Sequence, residues 1–209
     1  MKGKFITFEG GEGVGKSKQI SMLKEYLDSR KIKYIMTREP GGTRISEKIR
    51  EIILSKSNSE MTDHTEALLY ASARVQLIDE LIIPKLNEGY IVFCDRYIDS
   101  SFAYQAYARG LGYEFVKSIN SYAIEKAMPD YTIFLNLDTE SAFKRKGGVD
   151  KNDRVELSGM EFHKKVYEGY LQLLRDDDKG RIINVDCSGS RDETHEKIIN
   201  ALKKVGVLQ

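Results

Sequence analysis

Residues 10–17 read Gly-Gly-Glu-Gly-Val-Gly-Lys-Ser, a G-x-x-x-x-G-K-[ST] loop. A short β-prone run, Lys4-Phe5-Ile6-Thr7-Phe8-Glu9, precedes it, and a helical stretch from Lys18 to Leu23 follows. A strand that turns through glycines into a helix leaves several backbone N–H groups facing one concavity. The helix N-terminus adds partial positive charge there. Polyphosphate suits such a cradle, built from the backbone of Gly10, Gly11, Glu12, Gly13, Val14 and Gly15. Lys16 reaches the outer phosphates, and the Ser17 hydroxyl takes a place on Mg²⁺. The bland alternative is a glycine-rich turn with a chance Lys-Ser after it. The flanking strand and helix argue instead for a nucleoside-triphosphate site.

The rest of the chain extends this unit. Apolar runs at 5–8, 34–37, 91–94, 132–137 and 181–185 read as strands and lack strict polar alternation, as expected when both faces of a sheet are covered. The stretches between them are long enough for right-handed crossover helices. The expectation is an α/β protein with a five-stranded parallel sheet and helices on both faces, in one domain spanning residues 1–209. Ser190-x-x-Glu193 reads as a capping box opening a terminal amphipathic helix. Phe162, Val166, Tyr170 and Leu173 form a helical stripe, and residues 62–83 form a long helix that Pro84 kinks or ends.

The 209 residues carry 31% charged side chains but a formal net charge of only +1, which is no nucleic-acid footprint. Cys94 and Cys187 are isolated thiols without metal or disulfide spacing. No apolar run reaches membrane-spanning length, so a cytoplasmic protein is expected. Lys144 to Glu156 is charged, interrupted by glycines and nearly without apolar anchors. It reads as an exposed mobile loop, either a solvated surface or a lid over the phosphates.

Two strand-end loops carry a second group of candidates. After the second strand come Arg38-Glu39-Pro40-Gly41-Gly42-Thr43 and then Arg50; after the third comes Asp95-Arg96-Tyr97. Asp95 suits a place near Mg²⁺ or a helix cap. Arg38, Arg50 and Arg96 together suit a monophosphate, whose oxygens match guanidinium forks. On the long helix, Tyr70 and Arg74 lie one turn apart. Arg74 meets either an acidic partner such as Asp95 or a base carbonyl. Ser101, Tyr104 and Gln105 share one helical face, offering an aromatic wall and two hydrogen-bonding groups for a nucleobase and sugar.

These segments resemble the thymidylate kinase family over nearly the full length. Phe8-Glu9-Gly10 with the loop, Arg38 to Thr43, and Asp95-Arg96-Tyr97-x-x-Ser-Ser-x-Ala-Tyr-Gln match its signatures in order and spacing. The resemblance implies ATP-dependent phosphorylation of dTMP with Mg²⁺ by a homodimer. It makes Glu12 the acid facing the sugar 3′-hydroxyl or the metal shell, and Arg38 and Arg96 the acceptor-phosphate ligands. Tyr70 stands where the family usually has a phenylalanine stacked on thymine. Arg74 becomes the donor to thymine O4, Ser101 and Gln105 the base-edge contacts, and Tyr104 the wall against a 2′-hydroxyl. The loop lacks the arginine of one family branch, so Arg145 or Arg154 in the lid supplies the charge on the transferring group. The rival readings are a small kinase for another nucleotide or nucleoside and a nucleotide sensor without turnover.

Overall fold

The computed structural model describes residues 3–146 and 153–209. Five strands, β1 (Lys4–Glu9), β2 (Tyr34–Arg38), β3 (Ile91–Asp95), β4 (Tyr131–Asn136) and β5 (Ile182–Asp186), form one sheet in the order β2-β3-β1-β4-β5, with every pairing parallel. Each strand lies within one residue of its expected ends. β1, β3 and β4 are buried through their centres as expected, but β2 and β5 lie at the sheet edges and are only partly covered.

The connections are helical. α1 (Lys16–Ser29) joins β1 to β2; α2 (Arg44–Leu54), α3 (Asp63–Leu77) and α4 (Ile83–Asn87) lead to β3. α5 (Ile98–Ser101), α6 (Tyr113–Ile119) and α7 (Ser121–Lys126) lead to β4; α8 (Thr139–Lys146) and α9 (Met160–Arg175) lead to β5, and α10 (Arg191–Lys204) closes the fold. The capping box is present at α10, where Ser190 accepts from the Glu193 N–H and Glu193 accepts from the Ser190 N–H. Thr43 and Thr62 cap α2 and α3 in the same manner as acceptors.

Two helical expectations need correction. The path does not end at Pro84: a π turn, Ile78–Ile82, lets the Ile83 N–H reach the Ile78 carbonyl, and Pro84 sits in the first turn of α4, where a missing N–H costs little. The helix beyond α5 is likewise a π turn, Phe102–Ala108, which still brings Tyr104 and Gln105 onto the same side as Ser101.

Alternate residues of the central strands feed two cores. Ile6, Phe8 and Ile133 pack with Leu23, Ile198 and Leu202, while Phe5 and Val92 pack with Leu77, Ile78, Ile98 and Val116. Each such fully buried side chain contributes about 1.5–3 kcal/mol over an exposed one. A third cluster joins Tyr104 and Phe134 to Val166 and Tyr170 of α9. Cys94 and Cys187 are buried, unpaired thiols. Among the described residues no helix is long and apolar enough to cross a membrane.

The charged segment 144–156 differs from an exposed loop at both described ends. Lys144, Arg145 and Lys146 finish α8, and Asp153 bridges Ser55 in antiparallel fashion. Val155 is buried beside Tyr104 and Phe134, the apolar anchor that composition underrated. The remainder of that expected lid, 147–152, lies outside the described residues.

Candidate active site

Strand register builds the site. Asp95 pairs with Phe8 on one side and Arg38 on the other, so β1, β3 and β2 end at one level. The Arg96 N–H donates to the Phe8 carbonyl and the Glu39 N–H to the Asp95 carbonyl, at 2.9 Å each. The loops after these strands therefore open into one cleft of about 820 Å³. It lies at the carboxyl edge of the sheet, where α/β proteins bind ligands.

On the triphosphate side, Gly15 enters α1 with φ 97°. Lys16 Nζ donates to the carbonyls of Gly10 and Gly11 at 3.0 Å each, folded over the loop. Burial and the nearby Arg96 lower its pKa, against the pull of Glu12, Asp95 and Glu9. Glu12 through Ser17 line the cleft, and Gly10 and Gly11 support it through these carbonyls. Burial alone would push the Glu12 carboxyl up, but Arg96, Lys16, Lys146 and His163 outweigh it and hold Glu12 at about 2. Asp95 Oδ1 is buried at the same edge and has no hydrogen-bond partner among the described residues.

On the acceptor side, Arg38, Arg50, Tyr70, Arg96, Ser101, Tyr104 and Gln105 line the same cleft. Arg96 adopts φ +65°, donates to the Gly10 carbonyl at 3.0 Å and forms an ion pair with Glu12. Its guanidinium also lies over the Tyr104 ring, 5.2 Å from the centroid. Arg38 forks onto Glu47 at 2.6 and 3.0 Å, and Arg50 donates to the Pro40 carbonyl at 2.9 Å. The Tyr70 hydroxyl makes no hydrogen bond among the described residues, and burial raises its pKa.

Arg74 lies beneath this surface rather than on it. Of its two open readings, the acidic partner is present, and it is Glu39 rather than Asp95. The two lid arginines also separate. Arg145 lines the cleft and donates to the Cys187 carbonyl at 3.0 Å. Arg154 turns to Glu66 at 2.5 Å and to the Ile53 carbonyl at 3.0 Å.

Two buried acids escaped the sequence reading. Glu9 accepts from the Tyr97 N–H at 2.7 Å, the Ser100 hydroxyl at 2.6 Å and the Tyr170 hydroxyl at 2.7 Å, thereby pinning the turn that carries Arg96. Burial and the neighbouring Asp99 push its carboxyl up to about 7, against Ser100, Arg96 and Tyr170. Glu66 collects Gln105, Arg109 and Arg154 around one carboxylate. A carboxylate at the end of a buried strand, and one a helical turn before Tyr70, were the available signals.

Comparison with known proteins matches this arrangement. A family model described as thymidylate kinase aligns with residues 8–198. A thymidylate kinase of Thermoanaerobacter sp. (strain X514) is 47% identical over 204 residues, covering 98% of this chain and 99% of the relative. One from Acholeplasma laidlawii (strain PG-8A) is 48% identical over 204 residues, covering 96% and 100%. One from Bacillus velezensis (strain DSM 23117 / BGSC 10A6 / LMG 26770 / FZB42) is 46% identical over 211 residues, covering 98% and 99%.

Proposed function

The chain belongs to the thymidylate kinase family, and from that premise we propose how its residues divide the transfer of the γ-phosphoryl group of ATP to dTMP, giving dTDP and ADP. One observation carries the assignment: the phosphate loop and Arg96 face a single cleft and are already joined through Glu12 and the Gly10 carbonyl. Phosphoryl transfer needs in-line positioning, charge neutralisation and exclusion of water more than covalent help.

In this reading the loop from Gly10 to Ser17 holds the ATP phosphates, and Lys16 swings from the Gly10 and Gly11 carbonyls to the outer oxygens. Arg38 and Arg96 hold the acceptor phosphate, exchanging Glu47 and Glu12 for phosphate oxygens. Glu12 is then free for the sugar 3′-hydroxyl. Tyr70 stacks on the base, Ser101 and Gln105 meet its edge, and Tyr104 crowds the 2′ position. Arg74 acts on the base through Ser101, whose hydroxyl accepts from it at 3.0 Å. Arg145 or Arg154 supplies the lid charge. The acceptor phosphate is ionised at neutral pH, so no general base is needed.

Mg²⁺ accompanies ATP in this scheme. The exposed Ser17 hydroxyl and Asp95 Oδ1, which has no hydrogen-bond partner among the described residues, fit a hard cation. Among the described residues no three His, Cys, Asp or Glu side chains gather to hold a metal, so phosphate and water would complete its shell. When bound, the ion neutralises charge on the phosphates. We place the active molecule in the cytoplasm as a one-domain homodimer. Ile45 and Ile52 of α2 and Leu68 of α3, all exposed on adjacent helices, support a dimer contact there; an Ile52→Glu variant running as a monomer in light scattering is the expected result.

The test is coupled ADP release with ATP and Mg²⁺ across dTMP, dUMP, ribo-TMP, dCMP and AMP. Strong preference for dTMP is expected, and Arg96→Ala should lose on the order of 10²-fold or more in kcat/KM. A different preferred monophosphate overturns the pocket assignment, and near-normal turnover by Arg96→Ala overturns the phosphate role.

A further inference from the structure

The Gln105 side chain has two faces with opposite hydrogen-bonding character. Its Nε2 donates to Glu66 Oε1 at 2.9 Å. Glu66 is fully buried on α3 and takes further donors from Arg109, at 3.3 and 3.1 Å, and from Arg154 Nη2 at 2.5 Å. This carboxylate therefore takes donors from three side chains, Gln105, Arg109 and Arg154. Burial alone would raise the Glu66 carboxyl, but Arg109, Gln105 and Arg154 together hold it below its ordinary value, so it remains an acceptor only.

An acceptor-only neighbour dictates the orientation of the amide. Rotating Gln105 by half a turn would set its carbonyl oxygen against a carboxylate and strip that carboxylate of a donor. Gln105 Oε1 is thus left for the cleft, which Gln105 lines, and takes no hydrogen bond among the described residues. One turn away, Ser101 Oγ accepts from Arg74 Nη1 at 3.0 Å, which leaves the hydroxyl proton to point elsewhere. The pair offers a donor beside an acceptor. A pyrimidine with a carbonyl next to an N3–H matches that order. Cytosine, with an amino group next to a bare N3, opposes it.

We propose that Glu66 is a specificity-determining positioning residue, which fixes the Gln105 amide so that its carbonyl accepts from the N3–H of a thymine-type base and rejects cytosine. This rests on the reading of Gln105 as a base-edge contact. Glu66 itself touches no substrate; it acts through Gln105, 39 residues away in sequence. Sites whose polar groups are oriented in advance discriminate strongly, because the wrong base leaves a buried group unpaired.

The test compares kcat and KM for dTMP and dCMP in the intact enzyme, Glu66→Gln and Gln105→Leu. Glutamine at 66 can donate or accept, so both amide orientations of Gln105 become acceptable. Glu66→Gln should raise KM for dTMP several-fold, spare most of kcat, and raise the dCMP-to-dTMP ratio of kcat/KM at least tenfold. A fall in both substrates with an unchanged ratio overturns the inference, provided Gln105→Leu does shift the ratio. If Gln105→Leu leaves the ratio unchanged, the base-edge reading itself fails. Should Glu66→Gln not fold, the Gln105 side-chain amide in ¹⁵N-labelled intact enzyme decides. One slowly exchanging Nε2 proton, unmoved by dTMP, supports Glu66 as its partner; a large shift of that proton on adding dTMP overturns it.

Discussion

Arg74 donates from Nε to Glu39 Oε2 at 2.8 Å, and its Nη2 forms an ion pair with the same oxygen at 2.6 Å, in a pair whose side chains are 1% and 3% exposed. Nη1 is occupied by Ser101 at 3.0 Å and Asn120 at 2.5 Å. The pair joins the loop after β2 to α3 beneath the acceptor pocket, and so holds Ser101 from below. Glu39→Gln would leave the guanidinium buried without its counter-charge, which costs about 3–5 kcal/mol. The double replacement Glu39→Leu with Arg74→Met should recover much of that loss, because it removes both charges together. Urea unfolding of the three proteins measures this; an unshifted midpoint for Glu39→Gln would show that the pair does not stabilise the fold.

Glu9 predicts a pH dependence with a definite sign. Its carboxyl stands at about 7 in the fold against 4.5 ordinarily. Between those values the folded state binds more protons than the unfolded one, so stability falls as pH rises through the window. The contribution is complete below 4.5 and lost above about 7. Among charged groups Asp99 raises the Glu9 pKa and Arg96 lowers it most. Lys16, Glu39, Arg74 and Arg181 also interact with this carboxyl, and Ser100 and Tyr170 are its hydroxyl donors. Denaturant midpoints of the unmodified chain and Glu9→Gln, compared from pH 5 to 8, should differ in slope over this range. Parallel curves would refute the assignment.

Gly13 allows the phosphate loop to touch α8. A Cβ there would sit 2.4 Å from the Ala142 carbonyl oxygen, and φ is +78°. Backbone cannot yield as a flexible side chain does, so Gly13→Ala must displace either the loop or the end of α8. With strain of about 1–3 kcal/mol, nucleotide affinity should drop roughly tenfold or more. Calorimetric titration with ADP reads this directly, and unchanged affinity would mean that the two segments separate freely.

The two lid arginines should behave differently on substitution. Arg154 closes on Glu66 and on the Ile53 carbonyl, whereas Arg145 reaches backbone carbonyls at the cleft rim. Arg154→Met should destabilise by about 1–3 kcal/mol, since Glu66 keeps only part of its compensation. Arg145→Met should leave thermal stability nearly unchanged and raise KM for ATP. Equal destabilisation by both would contradict this division.

The local units were legible in the chain because their physics is local. A glycine loop between a strand and a helix makes a phosphate cradle wherever it occurs, and the Ser190–Glu193 box closes within one helical turn. Apolar runs between helical stretches likewise placed the five strands. What the residues around the cleft are bonded to was decided by tertiary packing. Arg74 finds Glu39 across 35 positions, Gln105 finds Glu66 across 39, and Arg154 finds Glu66 across 88. Each arginine or amide reads alone as a free ligand donor. Only the docking of α3 against the β2 loop, the π turn and the segment after α8 brings buried carboxylates within reach, and a buried charge takes the nearest partner that the fold supplies.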